Sequence, residues 1–532
     1  MSQPPNLLMI ITDQERATQH FPTGWEQEHL PNMTLLKQNG LSFKNAVCNA
    51  CMCSPSRSTL FTGLYPAQHG VTDTLTFGGR YSVTETELNN AFPTIATMLR
   101  PSHNAQYRGK WHLCKGGQNN VHPEKSLMTA EVAVFGFAGW TPPDSGEDTK
   151  LENFGGGYAN HDANYVQQAI DFIEAYNKAK ASGKAVKPFF LVVSLVNPHD
   201  VLSYPSSYQL GGYDPSWLDG EIDLPPTVDE NLQNNCKPAA QAINLQQMAA
   251  TLGPLKTVQT GPDGPVINND GQYAYINFYG NLLHHVDGEI GRLLDLFYNA
   301  ADAHGKRKPK PLGNDTLIIR TADHGEMGLS HGGLRQKAFN VYEETLRIPL
   351  VFSNPQMFPG GAESEQLISL IDLLPTIAGL YGVTPPDVIR GVDMSPVLRD
   401  PAAAAPVQDA TLFTYDDIRA GAVNTKEPVN AADRIRCLRQ SDWKYSRYFR
   451  AEGSYPEEFE MYYLGGIHDP DHIPANELEK YLLSQPYEYI NLAYDDNPLI
   501  ADWPPQIKRQ IAEKRAELAL ALTQKEQLLL IN

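Results

Sequence analysis

Three short polar motifs stand directly behind apolar runs, and their residue types suit metal and anion chemistry. Asp13-Gln14 follows the run at residues 7–12, Asn197-Pro198-His199-Asp200 follows 189–196, and Asp323-His324-Gly325-Glu326 follows 316–321. Carboxylate, amide oxygen and imidazole are all donors to divalent cations. In open α/β sheets ligands bind beyond the carboxyl ends of the strands, so three strands delivering these groups to one edge would assemble a metal and anion site. Alone, each motif has an ordinary reading: an Asp-His pair is a common surface turn, and Pro-His marks a loop. Their shared placement is the argument for chemistry.

The elements that must position these groups are strands alternating with helices. The runs at 7–12, 189–196 and 316–321 are short and rich in β-branched residues, as strands buried on both faces are. Val166, Ile170, Ile173 and Tyr176 share one helical face; Leu282, Val286, Ile290, Leu293 and Phe297 share another, and 372–381 reads as a further short helix. Alternating strands and helices predict an α/β domain with a largely parallel sheet. Around Arg390 to Ala410 the composition turns to Pro and Ala, which we read as the approach to a smaller domain. Its strands are expected at 435–439, 443–449 and 458–464. Residues 1–400 are assigned to the catalytic domain, and 401–532 to a subdomain with a small antiparallel sheet and a terminal helix. In that helix Ile507, Ile511, Leu518, Leu522 and Leu529 form an apolar seam, which packs on the body or on a second copy in a homo-oligomer.

Composition narrows the function. With 41% hydrophobic and 19% charged residues, the 532-residue chain is an ordinary globular protein. Its net charge of -19 repels nucleic acid, acidic membranes and polyanionic chains. An anionic substrate therefore needs a local cationic pocket, which favours a small monoester. The apolar run at residues 7–11 is too short for a leader or a membrane span, and a cytoplasmic location is expected. Six cysteines do not make a disulfide framework in so long a chain, yet Cys48, Cys51 and Cys53 crowd together.

The last of these opens the most informative segment, Cys53-Ser54-Pro55-Ser56-Arg57-Ser58-Thr59-Leu60-Phe61-Thr62-Gly63. It resembles the signature of the type I sulfatase family, Cys-x-Pro-x-Arg followed by Thr-Gly. Cys51 does not fit that signature, because Cys53 stands where its proline should be. The resemblance continues in Gly109-Lys110-Trp111-His112-Leu113, in Asp323-His324-Gly325-Glu326 and Lys337, in Arg347-Ile348-Pro349-Leu350 and in Asp372-Leu373-Leu374-Pro375-Thr376. It implies an alkaline-phosphatase-like fold, a mixed, mostly parallel sheet sandwiched by helices with a smaller C-terminal α+β subdomain.

The resemblance also implies a mechanism. Cys53 would be oxidised to formylglycine by a formylglycine-generating enzyme. One hydroxyl of the hydrated aldehyde attacks the sulfur of a small sulfate ester, and the second then expels sulfate. Asp13, Gln14, Cys53, Asp323 and His324 would hold one divalent metal, calcium on family frequency and manganese as the alternative. Arg57 would orient the nucleophile, Lys110 and Lys337 would clamp sulfate oxygens, His112 would act as base, and His199 would protonate the leaving oxygen. The chain departs from the common family pattern at Gln14 and His324, both neutral, as in the branch of choline sulfatases and phosphonate monoester hydrolases. Phosphonate monoester or phosphodiester hydrolysis is thus the alternative reaction, and an inactive sulfated-ligand-binding pseudoenzyme the alternative class. Ordinary structural roles remain open for each residue: solvated lysines, a core histidine at 112, and a Cys53 that is inert or paired with Cys51 or Cys48. Aromatic residues of the loop-rich stretch 201–272, Tyr204, Tyr208, Tyr213 and Trp217, either roof the pocket or pack beneath it. His284, His285 and His331 are read as structural or substrate-lining.

Overall fold

The structure, a computed structural model, describes residues 5–531 apart from 18–19, 78–80, 116–126, 147, 262–263, 304, 421–428, 467–471 and 485–486.

The apolar runs form the middle of a seven-stranded sheet, ordered Ala362–Ser369, Gly40–Val47, Leu350–Ser353, Thr316–Ala322, Asn6–Asp13, Phe189–Pro198 and Asn104–Gly109. Leu350–Ser353 is antiparallel to both neighbours, and every other pairing is parallel. The central strand explains its own composition. Leu7, Met9 and Ile11 enter the core on one face, Leu8 and Ile10 the core on the other, and all five are fully buried. Burying each such side chain contributes about 1.5–3 kcal/mol, so an alternating polar pattern could not occupy this position. Helices His161–Ala181 and Asp270–Leu294 cover the Leu8 face; Cys53–Thr62, Ile95–Leu99 and Leu373–Tyr381 cover the Leu7 face. The expected helix at 372–381 starts at Leu373, after a short 3-10 turn over Leu370–Asp372.

A second sheet has the order Glu458–Tyr463, Trp443–Phe449, Arg434–Gln440, Ala410–Tyr415 and Ala50–Cys51. Four strands are antiparallel, but Ala50–Cys51 joins parallel to Ala410–Tyr415. The smaller sheet therefore grips the chain two residues before Cys53. Helix Pro505–Leu529 lays Ile507, Ile511, Leu518 and Leu522 into the same core as Leu412, Leu438 and Met461, so the apolar seam is covered by its own chain. Among the described residues no helix is long and apolar enough to cross a membrane.

The stretch 201–272 carries more structure than its composition suggests, with helix Ala239–Leu252 and a hairpin of Thr257–Gly261 and Gly264–Asn268. Tyr204, Tyr208 and Tyr213 are buried against Phe278, which decides for packing. Trp217 packs half-buried on the edge of His285.

Candidate active site

Four neighbouring parallel strands end together, and each hands over a polar residue. Asp13 closes the central strand, where it pairs with Pro198 beyond a shift in register, and Thr12 pairs with Ala322, directly before Asp323. His199 follows Pro198, and Lys110 follows Gly109 at the end of the edge strand. Gly109 is required at its position. Its φ is +98°, and a Cβ there would lie 1.9 Å from the Ser194 carbonyl oxygen, which accepts the Lys110 N–H at 2.9 Å. Beyond it Trp111 wedges among Phe61, Tyr107, Phe135 and Phe137, and Asp144 accepts the N–H groups of Trp111 and His112 at 2.7 and 2.9 Å. The Lys110–His112 segment is thus fixed from both sides.

Cys53 is the first residue of a ten-residue helix that is buried throughout and closed by Gly63 in the left-handed conformation. Pro55 sits in the first turn, where its missing N–H is not needed by the helix. The amino end of the helix carries partial positive charge that favours an anion at position 53. The Cys53 thiol donates to Asp13 Oδ1 at 3.6 Å, and its Sγ lies 3.1 Å from His324 Nε2. All six cysteines are free, so neither Cys51 nor Cys48 pairs with Cys53. Burial, then the Asp13 charge, push the thiol up to about 11.

Arg57, one helical turn on, binds both acids: its Nε donates to Asp323 Oδ2 at 2.8 Å and its Nη2 to Asp13 Oδ2 at 3.1 Å. Its Nη1 donates to Ser194 Oγ at 2.8 Å and to the Lys110 carbonyl at 3.2 Å. Lys110 Nζ lies 2.6 Å from Asp13 Oδ2 and also donates to the Gly146 carbonyl. Burial alone would raise the Asp13 carboxyl, but Lys110 and Arg57 hold it well below the carboxylate range. Asp323 is raised, by burial and then by the Asp13 charge. Lys337 Nζ donates to Gln14 Oε1 at 2.6 Å. Lys110, Lys337 and Arg57 are all almost completely buried, which excludes solvated surface roles. They are the local cations that an anionic ligand needs in so acidic a protein.

The two histidines differ in their tethers. His112 Nε2 faces the Leu75 carbonyl at 2.6 Å and so carries the ring proton, while the buried Nδ1 has no partner among the described residues. Burial, then Lys110, hold the ring well below the usual histidine range. No hydrogen bond to a described residue ties the ring of His199. Burial, then Lys110, lower it too, while Asp13 raises it and Lys337 lowers it further. Asp13, Gln14, Cys53, Arg57, Lys110, His112, His199, Asp323, His324 and Lys337 therefore converge on one region.

The donor set fits a divalent cation. Asp13, Cys53, Asp323 and His324 each offer one ligand atom, and the four atoms lie within 4.8 Å of one another. His324 Nδ1 faces the Gly325 carbonyl at 3.1 Å, which leaves the Nε2 lone pair toward Cys53, the tautomer a metal ligand needs. His331 serves structure instead: its Nδ1 lies 2.6 Å from Glu230 Oε2, and its ring stacks on Tyr342 at 3.6 Å. His284 Nδ1 faces the His29 carbonyl at 2.6 Å. Sequence reasoning assigned no role to Ser194, Asp144 or Glu326. Only Glu326 carried a signal, its place inside a motif already singled out.

Comparison with known proteins agrees with this geometry. The profile of the family described as Sulfatase matches residues 5–383, and that of N-sulphoglucosamine sulphohydrolase, C-terminal, matches 331–480. An uncharacterised sulfatase of Escherichia coli, YidJ, is 26% identical over 410 residues, covering 73% of this chain and 70% of its own. An arylsulfatase of Clostridium perfringens is 23% identical over 430 residues, covering 74% and 79%. Among solved structures, a phosphonate monoester hydrolase from Silicibacter pomeroyi superimposes with a TM-score of 0.63 at 20% identity, covering 96% of this chain and 95% of its own. Family match, fold and a cationic pocket around Cys53 lead to one conclusion: the chain belongs to the sulfatase family and is a sulfuric ester hydrolase.

Proposed function

We propose that the chain hydrolyses a small sulfate monoester to an alcohol and inorganic sulfate, with Cys53 matured to formylglycine by a formylglycine-generating enzyme. A divalent cation would be held by Asp13, Gln14, Asp323, His324 and position 53. The observation that carries this reading is the place of the Cys53 side chain, at a helix amino end between Asp13 and His324 with three buried cations around it. Left as a thiol raised to about 11, Cys53 is almost wholly protonated at neutral pH and a poor nucleophile. Formylglycine would supply a hydrated aldehyde, with one hydroxyl for attack on sulfur and one for release of sulfate, and a bound cation would make the attacking hydroxyl more acidic.

The chain's own groups do the rest. Arg57 locks the two acids in place with bonds from one guanidinium. Lys110 and Lys337 present ammonium groups to sulfate oxygens, where they need no reorganisation as charge develops. His112, neutral and with its Nδ1 lone pair unspent, fits the base that receives the proton of the second hydroxyl. His199, untethered, fits the donor to the leaving oxygen. An arriving sulfate offsets the Lys110 and Lys337 charges that lower it, and so restores its affinity for a proton. Two carboxylates, an amide oxygen and one imidazole form an oxygen-rich set suited to calcium, and the imidazole makes manganese the alternative.

The neutral Gln14 and His324 favour a second reading, in which the same site hydrolyses a phosphonate monoester or phosphodiester. Co-expression with a formylglycine-generating enzyme, the mass of the peptide containing position 53, and kcat/KM for an aryl sulfate against an aryl phosphonate monoester test both readings. A lightened peptide with preference for the sulfate is the expected result. Preference for the phosphonate transfers the enzyme to the second reading. An unmodified peptide with neither activity makes the chain a pseudoenzyme.

A further inference from the structure

The metal reading assigns Gln14 a ligand role, yet a glutamine amide has two ends of nearly equal shape and opposite chemistry. Something must decide which end faces the cation. Gln14 Nε2 donates to Glu326 Oε2, while Gln14 Oε1 accepts from Lys337 Nζ at 2.6 Å. Glu326 is itself immobilised. Its Oε1 accepts the Tyr275 hydroxyl at 2.7 Å, the Gln336 N–H at 3.0 Å and the Gly328 N–H at 3.2 Å. The carboxylate is completely buried, and among the described residues no cation forms an ion pair with it. The Gln14 backbone is pinned as well. It holds a φ of +67°, donates its N–H to Asp323 Oδ1 at 3.1 Å and accepts the Tyr279 hydroxyl at 2.9 Å.

From this arrangement we infer that Glu326 is a positioning residue for Gln14: by accepting from the NH2 group it fixes the amide with its oxygen toward the metal position. Glu326 Oε2 takes the NH2 end of the amide, which turns the oxygen to the opposite side, where Lys337 Nζ also reaches it. The N–H···O bond also draws electron density toward the amide oxygen, which strengthens it as a ligand. The inference rests on the proposed metal site.

The test is titration of the metal-free full-length protein with Ca2+ and with Mn2+ by calorimetry, for the parent and for Glu326→Gln, Asp323→Asn and the double variant Gln14→Glu/Glu326→Gln. Glu326→Gln keeps the shape and the three bonds to Oε1 but sets one NH2 against another. Metal affinity is expected to fall by about 10–100-fold, the range seen when groups supporting metal ligands are lost. The unfolding temperature of the metal-free protein should stay near that of the parent. In the double variant the new carboxylate at position 14 accepts from the new amide at 326, and affinity should return. Unchanged affinity in Glu326→Gln, with binding lost in Asp323→Asn, overturns the role of Glu326 and leaves the metal site standing. Loss in Glu326→Gln that matches a fall in metal-free stability, with no recovery in the double variant, also overturns it. No binding by the parent overturns both.

Discussion

His199→Ala gives the sharpest check on the proposed division of labour. Its ring is held by no hydrogen bond to a described residue, and its charged neighbours are the site residues Lys110, Asp13 and Lys337. Removing it deletes a proton donor without breaking an ion pair, so the loss should fall on chemistry and not on folding. A positioned general acid contributes about 10²–10⁴-fold, or roughly 3–5 kcal/mol at 1.36 kcal/mol per tenfold. That contribution depends on the leaving group. A nitrophenolate departs without a proton, whereas a methylphenolate, about as basic as tyrosine with a pKa near 10, does not. The assay is kcat/KM across aryl sulfates from 4-nitrophenyl to 4-methylphenyl, for the matured parent and the variant. We expect a loss within about tenfold at the activated end, growing to about 10²–10⁴ at the basic end. A uniform loss across the series would refute the acid role and leave His199 as a binding residue.

Three further outcomes are expected. Cys53→Ala should abolish turnover with an unchanged circular dichroism spectrum, and retained activity would sink the nucleophile assignment. Arg57→Ala strips the buried Asp323 of its guanidinium partner, so denaturant unfolding of the metal-free protein should show a loss of about 3–5 kcal/mol, and a loss under about 1 kcal/mol would mean that water replaces the pair. His69, packed beneath the nucleophile helix with its Nε2 3.2 Å from Thr59 Oγ1, is held at about 3 by burial, against about 6.5 when unfolded. On acidification the unfolded chain takes the proton first. The contribution of His69 to stability is therefore complete above about pH 6.5 and falls by about 1.4 kcal/mol per unit below it. His69→Gln should flatten unfolding free energy between pH 6.5 and 5.0 by about 2 kcal/mol, and an unaltered slope would contradict the burial argument.

The amino-acid sequence by itself determined the chemistry-bearing segment from Cys53 to Gly63 and the three central strands. Residues 7–12, 189–196 and 316–321 had to become strands Asn6–Asp13, Phe189–Pro198 and Thr316–Ala322, because runs apolar on both faces find burial only inside a covered parallel sheet. It also determined that polar residues follow them directly, since Asp13, His199 and Asp323 are tied to strand ends by chain connectivity. Short Leu350–Ser353 and the edge strand Asn104–Gly109 left no comparable local signature, because pairing across the sheet, rather than periodicity, makes them strands.

What only the tertiary structure decided is which charges meet. Lysine in a sequence is ordinarily a solvated residue, and Lys110 escapes that fate because Asp13 arrives from another strand at 2.6 Å. The tyrosines of 201–272 went to packing because Phe278, on a distant helix, faces them. Gln14 and Glu326 lie 312 residues apart, yet their bond sets which end of the amide reaches the site. Helix and strand periodicities carry information over a few residues along the chain. Ion pairs and amide orientations are set by groups that become neighbours only when strand ends converge.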